Sequence, residues 1–333
     1  MTDGGPPEAV EEAARQRSAA RAARDWQAAD QLRAEIEAAG WRVVDAGTAY
    51  RIERANPPDV DVGGEIRYGR SDTVPSRLEE PVTGLASVIV VASPDLEESR
   101  RVLAALRATL PDAVDIVLVA DGLSNAAIAG LVDATGEGDA ASGTRAAAED
   151  RPPIELVRTS EPLGHAAALN IGIRRAQAPI VVALDSSILP TGDVVTPLVE
   201  ALADPDVAIA GAFGLRSSDL RRFDETTGVD GGAAVTAIQG YLMAFRRTDA
   251  RERGPLDEAF RFYRNLDIWW SLVLRDEGED TPPRRAVVVG GLPLERGEPR
   301  AWTTTPPAVR DRLSKRNFYR ILDRFRTRLD LAT

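Results

Sequence analysis

The chain has 333 residues, a net charge of −11, 44% hydrophobic residues and 28% charged residues, a composition typical of a globular protein with one large or two smaller domains. It has no cysteine and one histidine, His165, which excludes disulfides, thiol catalysis, iron–sulfur clusters and metal sites built from two histidines. The negative charge argues against broad binding to nucleic acid. No apolar run approaches the roughly 20 residues of a membrane span and no secretory signal is evident, so a cytoplasmic location is expected.

The first predicted unit is a small helical module over residues 8–54. Residues 8–39 are rich in Ala, Arg and Glu and lack Pro and Gly, and Asp25 is expected to divide them into two helices that end at Gly40. Trp26 belongs to a helical spacing of apolar residues, and we expect it to anchor the core of the module. The following sequence, WRVVDAGTAYRIER, is typical of a short β-hairpin.

The stretch RAARDWQAADQLRAEIEAAGWRVVDAGTAYRIER resembles the carboxyl-terminal tail of cysteinyl-tRNA synthetases, in which a helix with a "D…AD.LR..L...G" pattern precedes a short strand. The resemblance implies a small helical appendage. It does not imply aminoacylation, because the catalytic and zinc-binding motifs of those enzymes are absent. Since the local charges are balanced, an interaction or packing module is favoured over an RNA-binding one.

The main predicted domain spans residues 84–300 and follows a Pro- and Gly-containing segment, 55–83, that is predicted to be a linker. Apolar runs of strand length alternate here with amphipathic helices. The predicted strands lie in ASVIVVASP, DIVLVADGLSN, IELVRTS and IVVALDSSILP, and a charged loop of small residues is predicted over 136–151. This alternation predicts an α/β fold, with an open, mostly parallel sheet flanked by helices.

Carboxylates follow two of these strands, Asp121 and Asp185. Open α/β sheets bind ligands outside the carboxyl ends of their strands. The sequence therefore predicts a ligand site at this edge of the sheet, with Asp185 at its centre.

Five segments, in order, resemble family 2 glycosyltransferases of the GT-A fold over about residues 85–275. They are ASVIVVASP, VLVADGLSN, EPLGHAAALNIGIRRA, VVALDSSILP at the position of the "DxD" element, and AIQGYLMAFRRTDARERGPLDEAFRFYRNLDIWWSLVLRDEG. The resemblance implies an inverting transferase of the hexosyltransferase type, as in cell wall biogenesis. Such an enzyme moves a sugar from a nucleoside diphosphate sugar to a hydroxyl of a glycan or a lipid-linked acceptor.

The resemblance also implies roles for individual residues. Asp121 would contact the nucleotide base, Asp185 would lie at the diphosphate and its Mg²⁺ or Mn²⁺ ion, and Asp267 would be the general base. The residues implied to bind the donor are Ala92, Ser93, Asp121, Asp185, Ser187 and Arg264.

The sequence departs from the family pattern at the acids. Ser187 replaces the second acid of "DxD", Asn265 replaces an acid before the late helix, and no histidine lies in LPLERGEPRAW. Two alternatives follow for the charge that binds the diphosphate. Either a divalent cation is required, or the cation is dispensable and an arginine takes its place; the candidates are Arg264, Arg296 and Arg300. The alternative function is a non-catalytic, glycosyltransferase-like binding or scaffold protein.

Residues 301–333 are predicted to form a basic amphipathic helix. Its apolar face either packs against the main domain, which leaves the basic face in solvent, or attaches the protein peripherally to anionic lipid. The second interpretation would place the protein at the inner face of the membrane, where a lipid-linked acceptor resides.

Overall fold

The computed structural model of the chain describes residues 6–46, 49–55, 57–135, 153–226 and 232–333; the loop predicted over 136–151 lies outside them. The helices are α1 Glu8–Ala22, α2 Trp26–Ala38, α3 Leu96–Thr109, α4 Asn125–Thr135, α5 His165–Arg175, α6 Val195–Ala201, α7 Arg247–Arg253, α8 Leu266–Arg275, α9 Arg300–Thr304 and α10 Pro307–Phe325. The strands are β1 Trp41–Ala46, β2 Ala49–Arg54, β3 Val60–Val62, β4 Glu65–Tyr68, β5 Ala86–Val91, β6 Val114–Ala120, β7 Ile154–Thr159, β8 Ile180–Leu184, β9 Ile188–Pro190, β10 Val207–Gly211, β11 Gly214–Arg216, β12 Asp224–Glu225, β13 Ala234–Val235, β14 Ala237–Ile238, β15 Leu242–Arg246, β16 Arg285–Val288 and β17 Leu294–Arg296.

A ten-stranded sheet in the order β13-β16-β10-β15-β8-β5-β6-β7-β4-β3 forms the centre of the molecule. β5 lies parallel to β6 and β8, and β7 lies parallel to β6 and β4. β15 runs antiparallel between β8 and β10. The predicted fold, an open and mostly parallel sheet flanked by helices, is confirmed, and the carboxyl ends of β5, β6 and β8 meet at one edge.

The two faces of the sheet explain why its central strands are continuous apolar runs. Ile89 of β5 packs on one face with Ala166 and Leu169 of α5. Its neighbour Val88 points to the other face and packs with Leu103 of α3. Strands covered by helices on both faces have no solvent side, so they lose the polar alternation of a half-exposed strand.

The amino-terminal module forms as predicted in its elements but not in its core. Asp25 caps α2 by accepting a hydrogen bond from the amide of Ala28 at 3.1 Å, and β1 and β2 form the antiparallel hairpin. The prediction that Trp26 anchors the core of the module is wrong, because its side chain is 59% exposed. It lies in the first turn of α2, and the aromatic side chain buried with Ile36 is Trp41, at the start of the hairpin.

The segment 55–83, predicted to be a linker, belongs to the sheet. It contains β3 and β4, and β4 pairs in parallel with β7. Further along, the amide of Arg77 donates to the carbonyl of Arg174 at 2.7 Å, which ties the segment to the end of α5. The strands are only three and four residues long, too short to show a hydrophobic period in the sequence.

Within the described ranges, no helix is both long enough and apolar enough to cross a membrane.

Candidate active site

A small pocket at the carboxyl end of β8 brings together three residues that the sequence assigned to the site: Asp185, Arg264 and Asp267. It encloses about 50 Å³, and its other lining residues are His165, Leu169, Gly240, Tyr241, Met243, Tyr263, Leu266 and Pro299. A second space of about 20 Å³ shares Asp185 and His165 with it and reaches the end of β5. The pocket is therefore where the sheet topology predicts a ligand site.

Asp267 lies in the first turn of α8 and is oriented by two backbone amides. Its Oδ2 accepts a hydrogen bond from Gly240 N at 2.9 Å, and its Oδ1 accepts one from Ile268 N at 2.9 Å. Burial raises the pKa of this carboxyl group, opposed by the two amide bonds and by Arg264. A fixed carboxylate with a raised pKa has the properties of a general base.

Asp185 ends β8 and is held by the residue in the second position of the "DxD" element. Its Oδ1 accepts hydrogen bonds from the backbone amide of Ser187, at 2.9 Å, and from the Ser187 hydroxyl. Ser187 is buried, so its hydroxyl orients Asp185. The Oδ2 oxygen receives no hydrogen bond from the described residues and is left for a ligand.

The carboxylate of Asp185 is the feature of the pocket that suits a divalent cation. Among the described residues, no group of three or more His, Cys, Asp or Glu side chains is arranged to hold a metal ion. Hard cations such as Mg²⁺ can bind through one carboxylate when substrate phosphates and water supply the remaining oxygens. Asp185 fits a cation of that kind, which would enter with a diphosphate.

Asp121 follows β6, and the chain itself uses both of its oxygens. Oδ1 accepts a hydrogen bond from Leu163 N at 2.8 Å, and Oδ2 accepts one from Gly164 N at 3.0 Å. The Thr159 hydroxyl lies 3.0 Å from Oδ1. Asp121 therefore fixes the turn into α5, and its contact with a nucleotide base stays a prediction.

Ala92 and Ser93 follow β5 and are both buried. The Ser93 hydroxyl donates to Glu98 Oε2 at 2.5 Å and accepts a hydrogen bond from Asp95 N at 3.1 Å. These bonds shape the turn into α3. The role of the two residues in binding the donor stays a prediction.

His165, the first residue of α5, lies beside the two strand-end acids. Burial lowers its pKa, and the charges of Asp185 and Asp121 oppose that shift. Its ring meets that of Tyr263 edge to face, with the ring centroids 6.1 Å apart. A lowered pKa leaves the imidazole neutral near pH 7, when it both donates and accepts hydrogen bonds.

Arginine and aromatic side chains surround the pocket. The Arg264 guanidinium lies over the ring of Trp302, 5.1 Å from its centroid, and the Arg296 guanidinium lies 4.2 Å from the centroid of Tyr241. Arg296 also lies 3.6 Å from Glu225. The described side chains do not include that of Arg300. Positive charge is thus present near Asp185, as anionic ligands require.

Sequence reasoning missed Tyr241, Tyr263, Pro299 and Trp302. The first three line the pocket, and the fourth packs against Arg264. A signal existed for two of them, because Tyr241 follows Gly240 within the matched AIQGYLMAF segment and Tyr263 lies four residues before Asp267. Pro299 and Trp302 lie in LPLERGEPRAW, where the comparison with the family pattern considered only histidines, acids and arginines.

Comparisons with known proteins bear on the family and the fold of the chain. The family model "Glycosyl transferase family 2" matches residues 87–257, just over half of the chain. A crystal structure of GalNAc-T7 with UDP, GalNAc and Mn²⁺ is 14% identical, with a TM-score of 0.53 over 74% of this chain and 48% of the other. The chain thus spans about half the length of that relative, and the likeness shows the fold alone.

Two other structures are similar at TM-scores below 0.5. They are the mannosyltransferase PcManGT from Pyrobaculum calidifontis in complex with GDP-Man and Mn²⁺ (0.44, 18% identity, 78% of this chain and 75% of the other) and residues 1–349 of TarS from S. aureus (0.48, 11% identity, 73% of each). None of the curated proteins matches the chain significantly. The resemblance of the amino-terminal module to synthetase tails is not among these findings. By its family match and its GT-A-like sheet, the chain belongs to the family 2 glycosyltransferases.

Proposed function

We propose that this protein transfers a sugar, with inversion, from a nucleoside diphosphate sugar to a hydroxyl group of a glycan or lipid-linked acceptor. The observation that carries the proposal is that Asp185 and Asp267 line one pocket, at the carboxyl end of a parallel strand in a family 2 domain. One carboxylate suits the diphosphate end of a donor and the other suits an acceptor hydroxyl.

The step is a direct displacement at the anomeric carbon of the donor. Asp267 accepts the proton of the acceptor hydroxyl, and the acceptor oxygen forms a bond to the anomeric carbon. The bond from that carbon to the diphosphate oxygen breaks, and the nucleoside diphosphate leaves with the electron pair. The raised pKa of Asp267 favours proton uptake as the step proceeds.

The leaving diphosphate carries the negative charge that must be stabilised. A divalent cation bound by Asp185 and by the diphosphate would supply that stabilisation as a Lewis acid. Arg264 lines the same pocket and Arg296 lies over the ring of Tyr241, another lining residue, so both can provide positive charge there. If the arginines suffice, donor binding is independent of the cation.

The carboxyl-terminal helix bears on where the acceptor is found. The buried residues of α10, Asn317, Ile321 and Phe325, face the main domain, while Arg312, Lys315 and Arg316 are exposed. Exposed basic residues on a packed helix are compatible with peripheral contact to anionic lipid. Co-sedimentation with vesicles containing phosphatidylserine, compared with neutral vesicles, tests this part of the proposal.

The alternative, a non-catalytic binding or scaffold protein, is favoured by one observation. Asp121 and Ser187, both assigned to donor binding, use their polar atoms for contacts within the chain. A protein that kept the fold and lost its substrate would show such internal saturation.

Calorimetric titration with a panel of nucleoside diphosphates and their sugars, first with Mn²⁺ and then with a chelator, distinguishes these possibilities. Binding that requires Mn²⁺ supports the cation at Asp185. Binding that persists in chelator supports recognition by arginine. If a folded sample binds none of the panel, the transferase proposal is wrong and the scaffold interpretation takes its place.

A further inference from the structure

The loop that leads to the proposed base is bonded to the carboxyl-terminal helix. Residues 262–265 lead into α8, whose first turn carries Asp267, and α10 is joined to this loop by three side-chain hydrogen bonds. The sequence interpretation of α10 considered only a packed helix or a lipid-binding one. Its contacts with the loop indicate a third role, within the active site.

Asn317 makes the central contact. This residue lies on the buried face of α10 and is 2% exposed. Its Nδ2 donates to the carbonyl of Phe262 at 2.9 Å and to the carbonyl of Arg264 at 2.8 Å. One side-chain amide therefore fixes two carbonyls on the segment that leads into Asp267.

Asn265 makes a reciprocal contact from the loop to the helix. Its Nδ2 donates to the carbonyl of Ser314 at 2.9 Å, and its backbone is left-handed, with φ of 69°. Asparagine tolerates this conformation better than most residues. A carboxylate could not donate to Ser314, so the replacement of the expected acid by an amide at position 265 has a structural reason: it connects the loop to α10.

Packing behind these hydrogen bonds holds the helix in place. Ile321 is fully buried, and Phe325 meets the ring of Trp269 on α8 with the centroids 5.5 Å apart. Arg320 pairs with Asp257 at 2.8 Å. The helix is thus anchored independently of the loop, as a support for it must be.

The segment before α10 reaches the pocket itself. Pro299 lines the pocket, and the guanidinium groups of Arg264 and Arg310 both lie over the ring of Trp302, 5.1 Å and 4.0 Å from its centroid. The segment from 299 to 325 therefore contributes to the wall of the pocket and contacts the loop that leads to the base.

We infer that Asn317 is a positioning residue for the proposed transfer reaction. By holding the carbonyls of Phe262 and Arg264, it sets the path of the loop and thereby the placement of the Asp267 carboxylate between Gly240 and the acceptor. The inference rests on the proposed function. Misplacement of a reacting group by about 1 Å can cost about 100-fold in rate, so a small shift of the loop is sufficient for a large effect.

The test compares Asn317→Leu, which keeps the size of the side chain and removes both hydrogen bonds, with Ile321→Val, which trims the same buried helix face without touching the loop. The readout is nucleoside diphosphate release from UDP-GalNAc, UDP-GlcNAc, UDP-Glc and GDP-Man, with water as the acceptor of the sugar, followed against pH. For the donor that wild type uses, we expect N317L to lower kcat at least about 10-fold and to move the acid limb of the pH profile, with the donor KM within about twofold. I321V should leave kcat, the pH profile and the donor KM unchanged.

A second variant keeps the inference testable if N317L does not fold. Asn265→Gly accepts the left-handed backbone and loses only the amide that reaches Ser314, so the protein is expected to fold. We expect N265G to lower kcat in the same direction and to increase hydrogen exchange of the amides in residues 262–267. Exchange needs no substrate and reports the loop directly.

The outcomes separate the two proposals. If folded N317L or N265G keeps kcat within twofold of wild type with an unchanged pH profile, Asn317 is not a positioning residue. If wild type releases no nucleoside diphosphate from any donor, hydrogen exchange of the amides in residues 262–267 decides the inference. Equal exchange in wild type and N265G overturns the inference. Turnover in Asp267→Asn equal to wild type contradicts the proposed function and leaves the contact between the helix and the loop as packing only.

Discussion

The substitution Asp121→Asn separates the structural role of Asp121 from its predicted role in donor binding. Its carboxylate receives backbone amides on both oxygens, Leu163 N on Oδ1 and Gly164 N on Oδ2. An asparagine has one oxygen. It can keep one of these bonds, but it then presents an NH₂ group to the other amide.

The size of the effect follows from those bonds. A hydrogen bond to a charged group contributes about 1.5–3 kcal/mol and a neutral one about 0.5–1.5 kcal/mol. D121N loses the bond from one amide and weakens the bond from the other by about 1 kcal/mol, a total of about 2.5–4 kcal/mol. Because Asp121 is half-buried and water can replace part of the loss, we expect the free energy of unfolding to fall by about 2–3 kcal/mol.

Urea unfolding followed by tryptophan fluorescence measures this change, with Asp193→Asn as the matched control. Asp193 also accepts two backbone amides, from Val195 and Thr196 at 2.8 and 3.0 Å, but both bonds go to a single oxygen. D193N keeps that oxygen and loses neither bond, but it weakens both by about 1 kcal/mol each, so with the same allowance for water it should cost about 1–2 kcal/mol, less than D121N. It should leave donor affinity unchanged, whereas D121N should weaken it. A free energy of unfolding for D121N within about 0.5 kcal/mol of wild type would refute the structural role, because surface changes without such bonds usually fall in that range.

Three further predictions concern the base, the cation and the amino-terminal module. Burial raises the pKa of Asp267, and a general base must be deprotonated to act. We therefore expect kcat/KM to fall on acidification at a pH above the ordinary pKa of aspartate, which is about 3.9. An acid limb at or below about 3.9 would contradict the assignment. Ser187→Asp restores a second acid at the "DxD" position and should tighten Mn²⁺ binding in calorimetry, while equal affinity would show that position 187 does not face the ion. Trp26→Ala should change the free energy of unfolding by less than about 0.5 kcal/mol, whereas Trp41→Ala should cost about 3 kcal/mol in urea titrations; the reverse order would contradict the burial of the two rings.

The central sheet could be predicted because its strands are recognisable in the sequence. β5, β6 and β8 are apolar runs with helices between them, and that pattern fixes both the element type and the parallel pairing. The acids at their ends, Asp121 and Asp185, could be placed at one edge for the same reason. What the pattern could not show is how each acid is used within the chain.

The failures have local physical causes. Trp26 has the helical spacing of a core residue, but it lies at the start of α2 and is exposed. Hydrophobic periodicity does not show whether another element covers that end of the helix. β3 and β4 are too short to display a period, and only pairing with β7 makes them strands. Such pairing is a tertiary effect that local sequence does not contain.

The inferred role of α10 at the site could not be predicted from the sequence for a different reason. Asn317 and Asn265 are ordinary polar residues in the sequence, separated by 52 positions. Only the folded chain brings Asn317 to the carbonyls of Phe262 and Arg264. The one available signal was the amide at position 265, where the family pattern has an acid.

The most direct test of glycosyl transfer at this site is turnover of Asp267→Asn beside donor binding by the same variant. Asparagine preserves the size of the side chain and an oxygen for Gly240 N, and it loses the bond from Ile268 N; it cannot accept the acceptor's proton as a base. Loss of a general base costs about 100- to 10,000-fold in rate, so we predict that D267N loses transfer to that degree while calorimetry shows donor affinity within about twofold of wild type. Turnover equal to wild type, in a variant that still binds the donor, would contradict the assignment of Asp267 as the base.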